Sequence, residues 1–335
     1  MADLGFFLKR LGRMDYGKLL DNVDIVSKRA ERSKAYILWD MLRCGIRYNA
    51  GYMDYKIARM YALSPAQRRT VITRGINNRI VREMNDKAYW HCFDDKAQFN
   101  TRFAPWVDRA WLHADKNLTI DELGAFLGGQ DAVFVKPLEG SSGVGVRKAL
   151  PADWADLDSF YRQLIAEAPA ILEEAVIQHD DMSRLCPTSV NTVRFATLLG
   201  PRAQGIVYAF LRIGNGKVMD NVDCGGMAAR VDLDSGVLKT VAADKQGNVF
   251  EVHPLTGTPI VGFQLPYFEE AKRMCLEAMR VVPQVKYVAW DVALTPEGPR
   301  FIEGNSFPSH AVPQFAAHYP DGIGILPEFR KYMDL

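Results

Sequence analysis

The chain has 335 residues, 48% of them hydrophobic, with 41 basic against 40 acidic side chains and a net charge of +1. That size and content suit a folded protein of two or three domains and argue against a disordered or fibrous one, and the near-neutral balance gives no general basis for binding nucleic acid. No run approaches the roughly 20 apolar residues that cross a bilayer, and five scattered cysteines (Cys44, Cys92, Cys186, Cys224, Cys275) without a CxxC pair argue against a disulfide framework or a structural zinc site. They read as reduced thiols of a cytoplasmic protein.

Charge is spread unevenly along the chain. Residues 1–90 carry 18 basic and 9 acidic side chains, so the first quarter reads as a separate, basic, helical module. Its opening, Leu4, Phe6, Phe7 and Leu8 followed by Lys9, Arg10 and Arg13, lacks the order of a signal peptide. An ordinary helix with a solvated basic face is expected there, in preference to one lying on a membrane surface. Apolar residues recur at helical spacing around Asp40, through Tyr36, Ile37, Trp39, Met41 and Leu42, and Ser64 with Pro65 forms an N-cap and first turn for a helix over Ala66–Val81.

From about residue 91 short apolar runs alternate with helical patterns, the texture of an α/β or α+β protein. Strands are expected at Asp131–Lys136, Gly143–Lys148, Ala170–Glu174, Thr192–Leu199 and Gly205–Ile213. Helices are expected over Asp153–Ala168 and residues 267–282, the second presenting Phe268, Ala271, Met274, Cys275, Ala278 and Val281 on or near one face. Tyr287–Leu294 and Pro299–Asn305 read as a hairpin. Trp90, Trp106 and Trp154 read as core.

Two segments carry chemistry. In the first, a strand ends at Lys136 and runs into Gly140, Ser141, Ser142, Gly143 and Gly145, a loop whose backbone and hydroxyls suit close approach to phosphate oxygens. It has no Walker A ending and leads into a strand, which leaves a β-turn-β flap; an ordinary glycine turn is the alternative. In the second, a three-residue loop of Pro296, Glu297 and Gly298 sets Thr295 opposite Pro299. Asp291 then faces Glu303, and Asn305 falls on the same face, with Val288, Trp290, Val292 and Ile302 on the other. Opposed carboxylates call for a cation between them, and Mg²⁺ takes one or two carboxylates together with phosphate oxygens. A solvated acidic hairpin is the alternative at this point.

In order, the blocks DDKAQFNTRF, FVKPLEGSSGVGV, ILEEAVIQH, SVNTVRF and AWDVALTPEGPRFIEGN resemble the ATP-grasp pattern. More narrowly they resemble the sugar-transfer-associated ATP-grasp family found with surface-polysaccharide genes, over roughly residues 50–330. The resemblance implies two α/β subdomains with largely antiparallel sheets sandwiching ATP, 91–172 the flap subdomain and 173–335 the Mg²⁺ subdomain, and the basic helices of 1–90 precede them as a module of their own. It implies that Lys96 and Lys136 reach the phosphates, with Ser141, Ser142 and Gly143 in the flap. Glu173, Glu174 and Val176 would form the adenine hinge, with His179 near the ribose. Arg194 would stabilise the transferring phosphoryl group, and Asp291, Glu303 and Asn305 would hold Mg²⁺.

His310 is a further candidate facing the substrate, and the segment Met219–Met227, with its glycine pair and two aspartates, reads as a plain hairpin turn in preference to a loop near the phosphates or substrate. The implied reaction joins a small-molecule carboxylate to an amine through an acyl phosphate, and Asp291→Asn or Glu303→Gln is expected to abolish turnover with the fold intact. A kinase acting on a hydroxyl and a non-catalytic ATP-binding protein stay open, as do the substrates and the oligomeric state. Many ATP-grasp enzymes begin with an α/β domain where this chain has basic helices, so no substrate carries over.

Overall fold

A computed structural model describes residues 15–140, 143–167, 169–217 and 220–335. The readings made for Leu4 to Arg13, for Ser141 and Ser142, and for Met219 fall outside the described residues.

The lead-in is helical: α1 Tyr16–Ala30, α2 Lys34–Tyr48, α3 Tyr52–Ile57, α4 Pro65–Arg68 and α5 Arg74–Met84. Side chains of Asp15, Ser33, Ser64 and Thr73 accept backbone N–H groups at the starts of α1, α2, α4 and α5, which satisfies donors a helix cannot pair internally. Val23, Val26, Ile37, Met41, Cys44, Tyr55 and Met60 form the module's own small core. Two expectations are corrected here. Tyr36, Trp39 and Leu42 face outward, and the inward stripe of α2 instead carries buried Asp40, held by Arg68 at 2.7 and 2.8 Å and by the Tyr55 hydroxyl at 2.7 Å. The helix expected over 66–81 is two helices. Residues 70–72 leave the helical path because the Thr70 carbonyl accepts Leu326 N–H (2.9 Å) and Ile72 N–H bonds the Gln314 side chain (2.6 Å), pinning the module to the C-terminal segment.

Four short helices or strands lead into the first sheet: α6 His91–Asp94, α7 Lys96–Arg102, α8 Ala104–Val107 and β1 Trp111–Ala114. Then come α9 Ile120–Leu127, β2 Val133–Pro137, β3 Arg147–Ala149, α10 Leu157–Ala166 and β4 Ala170–Glu174. The strands form an antiparallel sheet in the order β1-β4-β2-β3. Alternation sends Val133, Val135, Ala170 and Leu172 to one face, where they pack with Leu123, Leu127, Phe160 and Leu164 of α9 and α10. Phe134, Lys136, Ile171 and Glu173 therefore take the opposite face. β3 is shorter than the strand expected over 143–148, because Gly143 and Gly145 adopt φ of 73° and 76° and turn the chain before pairing begins. The expected helix 153–168 opens with a tight turn at Pro151–Trp154 and becomes α-helical only at Leu157.

The rest of the chain supplies α11 Asp180–Leu185, β5 Thr192–Leu199, β6 Gln204–Ile213, β7 Met227–Arg230, β8 Ala242–Ala243, β9 Val249–Phe250, α12 Phe268–Ala278, β10 Tyr287–Thr295, β11 Gly298–Asn305 and α13 Leu326–Arg330. Its seven strands form a second antiparallel sheet, β11-β10-β5-β6-β7-β8-β9. One face buries Val193, Phe195, Leu211, Trp290, Val292 and Phe301 against α12, the largest core of the molecule. Trp90 and Trp106 pack on this core and Trp154 on that of the first sheet. All five cysteines are free, four of them buried. Among the described residues no helix is long and apolar enough to cross a membrane.

The β10–β11 hairpin reaches its expected pairing by another route. The loop is two residues, with Thr295 opposite Gly298 and Leu294 opposite Pro299, so an uninterrupted ladder would place Asp291 against Ile302. A bulge on β11 absorbs one residue between the Val292–Phe301 and Asp291–Glu303 pairs and restores the opposition of the two acids. The correction falls on Ile302, expected in the core: Phe301 takes that place, and the bulge turns Ile302 toward the space between the sheets.

Candidate active site

The two sheets face each other across a cleft of about 460 Å³. Lys96, Lys136, Gly140, Gly143, Glu173, Glu174, Val176, Arg194, Asp291, Glu303 and Asn305 all line it, and two candidates, His179 and His310, do not. His179 lies outside. It caps α11, accepting Asp181 N–H at Nδ1 (3.1 Å), and its ring packs edge-on against Tyr267. His179→Ala is expected to cost about 1 kcal/mol, the worth of a lost helix cap, and to leave ADP affinity unchanged, as thermal melting and a nucleotide titration will show. His310 also turns away, its Nε2 2.7 Å from Asp54 Oδ1 in the helical module.

On the wall built by the first sheet, Glu173 is the organising charge. Its carboxylate accepts Asn100 Nδ2 (2.6 Å) and Arg109 Nη2 (2.8 Å) and pairs with Lys136, which sits diagonally across the β2–β4 ladder. Burial alone would push this carboxyl up, but Arg109 and Lys136 outweigh it and hold the group well below the usual range. Lys96, at the start of α7, donates to the carbonyls of Pro137 (2.8 Å), Leu138 and Gly140 (both 3.4 Å), at the root of the flap. Burial, offset in part by Glu303 and reinforced by Lys136, lowers its pKa. A phosphate arriving there would find both lysines beside it.

On the opposite wall, β5, β6 and β10 present their polar face. Arg194 lies directly across the ladder from Asp291 and grips it with two bonds, Nε to Oδ1 and Nη2 to Oδ2, each 2.5 Å. Arg212 Nη1 adds a third at 2.5 Å, and its Nη2 lies 2.8 Å from Asp220, whose carboxylate also accepts Thr192 N–H. Burial would raise Asp291, yet Arg194 and Arg212 bring it down to about 2. Glu303 has no such partner, since Arg194 Nη2 stays 3.7 Å away. Burial in the cleft and the charge of Asp291 push the Glu303 carboxyl up. Asn305 lies alongside, Nδ2 3.5 Å from Glu303 Oε1.

This donor set fits a hard divalent cation. Among the described residues no three His, Cys, Asp or Glu side chains gather as a metal cluster. Two carboxylates and an amide would therefore hold a cation together with oxygens of a ligand, the way magnesium binds beside phosphates.

Arg109 and Arg212 were missed in the sequence; Asp220 belongs to the 219–227 segment singled out there, and it lines the cleft with Asn221, Val222 and Asp223. Arg212 left a signal, an arginine inside the apolar strand IVYAFLRI at the same parity as Phe210. Arg109 left none: its Nη1 and Nη2 reach the Phe301 (2.5 Å) and Ile302 (3.3 Å) carbonyls freed by the bulge, a contact between segments 192 residues apart. Phe134, Val146, Val176 and Ile302 give the cleft apolar lining. A larger depression of about 710 Å³ near Trp90 and Lys286 gathers no comparable set of converging charges.

Two antiparallel sheets closing on a cleft with lysines on one side and paired acids on the other define the ATP-grasp fold. The model of the sugar-transfer-associated ATP-grasp family matches residues 157–326, and the chain belongs to that family. No curated protein matches it in sequence. Among solved structures it is similar to the D-alanine-D-alanine ligase from Coxiella burnetii (11% identity, TM-score 0.39, 72% of this chain and 58% of that one). It is similar also to that of Bacillus anthracis (15%, 0.43, 77% and 73%) and to the ATP-grasp ligase PsnB complexed with a phosphomimetic precursor variant, Mg and ADP (13%, 0.42, 73% and 60%). The chain spans about 60% of the length of the first of these structures.

Proposed function

We propose that the protein is an ATP-dependent carboxylate–amine ligase that works through an acyl phosphate, in the cytoplasm, in the biosynthesis of a polysaccharide or cell-envelope metabolite. The observation that carries this reading is the convergence of Lys96, Lys136, Arg194, Arg212, Asp291, Glu303 and Asn305, drawn from six separate elements, on one cleft. Phosphoryl transfer is mostly positioning and charge neutralisation, and these groups supply both. Lys96 and Lys136 hold the β- and γ-phosphates, the apolar lining takes adenine beside the Glu173–Val176 segment, and Arg194 and Arg212 bind the anionic oxygens that develop on transfer. Mg²⁺, held by Asp291, Glu303 and Asn305, would neutralise charge between the phosphates.

The substrate carboxylate oxygen forms a bond to the γ-phosphorus as the bond to ADP breaks. The amine nitrogen then bonds to the acyl carbon as inorganic phosphate leaves and the amine gives up a proton. No side chain has to become covalently attached. The division proposed with it is a helical module to about residue 90, a flap subdomain ending after β4 at Glu174, and a larger subdomain beyond; a boundary at 172 would cut β4.

The test is ADP release across a panel of amino acids, sugar acids and amino sugars, with the product read by mass spectrometry. ADP and phosphate are expected together only when a carboxylate and an amine are both present. ADP appearing with a hydroxyl compound that gains a phosphate would make the protein a kinase instead. Lys96→Ala is expected to weaken ATP binding about tenfold, the worth of one charge-assisted contact, in an equilibrium titration.

A further inference from the structure

The N-terminal module places cations where the cleft chemistry described above makes no use of them. Arg29 of α1, Lys56 of α3, Arg59 just beyond it and Lys245 in the turn between β8 and β9 line one small recess. Lys245 also lines the cleft, so recess and cleft adjoin. Lys56 is half-buried, and among the described residues neither it, Arg29 nor Arg59 has a carboxylate partner. The acid that does border the recess, Asp244, turns its oxygens to Asn248, accepting the backbone N–H at 2.9 Å and Nδ2 at 2.7 Å. Lys245 is paired with Asp223.

The cluster is held in place. The Arg29 guanidinium donates to the Gln246 carbonyl, and a Cβ at Gly247, where φ is +87°, would come within 3.1 Å of Arg29 Nη1. Burial first, then the charges of Arg29 and Lys245, push the Lys56 pKa down. Gathering like charges at a half-buried position costs free energy, and an anion between them reverses the sign of that cost. Guanidinium and ammonium groups approaching from several directions suit a tetrahedral oxyanion.

We propose that this recess binds a phosphate or diphosphate group carried by the second substrate, and that the basic helical module is there to supply it. The link to catalysis rests on the ATP-dependent reading above; the site itself does not. Lys245 joins the two, so the reacting end of the substrate lies in the cleft while its phosphate is held by α1 and α3.

The full-length protein, first saturated with ADP and magnesium so that the nucleotide site is filled, is titrated with inorganic phosphate and separately with pyrophosphate by calorimetry and thermal shift. One saturable site is expected. Arg29→Gln and Lys56→Gln should each weaken it at least about tenfold, the loss of a charge-assisted contact, whereas Arg273→Gln, an exposed cation on α12, should leave it unchanged. Without anion, Lys56→Gln should melt no lower than the native protein, because it removes a like-charge contact; a merely structural lysine would behave oppositely. Absence of saturable binding, native affinity in both recess variants, or an equal loss in Arg273→Gln overturns the proposal. ADP binding, measured in the same preparation, reports on the nucleotide site separately.

Discussion

Asp291→Asn is expected to lower stability by about 3 kcal/mol or more and to abolish ATP-dependent turnover. An asparagine cannot neutralise Arg194 and Arg212, which both bond this carboxylate at 2.5 Å with only 1% of its side chain exposed. Removing one partner of a buried ion pair leaves the rest uncompensated, which is far costlier than the pair is worth. The same geometry sets a pH signature. Burial favours the neutral acid, but the arginines hold its pKa at about 2 against an ordinary 3.8. Its contribution is therefore full above the unfolded pKa and lost as the pH falls through about 2. Urea unfolding at neutral pH and acid unfolding measure the two parts. Native stability in the variant would mean that the three charges do not form one unit. The sequence alone led to a different expectation, a variant with an intact fold, because it showed Asp291 only as a metal ligand.

Glu303→Gln is expected to behave in the opposite way. Turnover should fall on the order of 10³-fold, as when a preorganised charge is removed from a phosphoryl-transfer site, while the fold should be at least as stable as the native one. Burial and the nearby charge of Asp291 raise the Glu303 pKa. A carboxyl raised in the folded state contributes stability below its unfolded pKa that is lost as the pH rises through the folded value. At neutral pH this group therefore carries a cost, and an uncharged isostere removes it. Magnesium with ADP should raise the melting temperature of the native protein and much less that of the variant. Equal stabilisation of both would place the cation elsewhere.

Much of this site was legible because it is written in local patterns. Lys136 precedes a glycine-rich turn, and the two acids at 291 and 303 and the amide at 305 share one face of a hairpin, so strand geometry aligns them. Even there the loop length was misjudged by one residue, and the facing of Asp291 and Glu303 survived because a bulge compensated. Ile302 shows the cost of that compensation, since its side of the strand was misassigned. His179 went astray for a different reason: a histidine ahead of two aspartates is also an N-cap, and the helix took it.

Periodicity and turn chemistry marked most of the strands and helices, because each depends on residues a few positions apart, and the resemblance of five ordered blocks pointed to the family. Which cations meet which acids was decided by tertiary structure. The Arg109–Glu173 contact and the pairing of Arg212 with Asp291 join segments 64 and 79 residues apart. The orientation of α2, with Trp39 outward and Asp40 inward, depended likewise on an arginine 28 positions away. A buried charge goes wherever the folded chain brings its counter-charge, and no local pattern encodes that meeting.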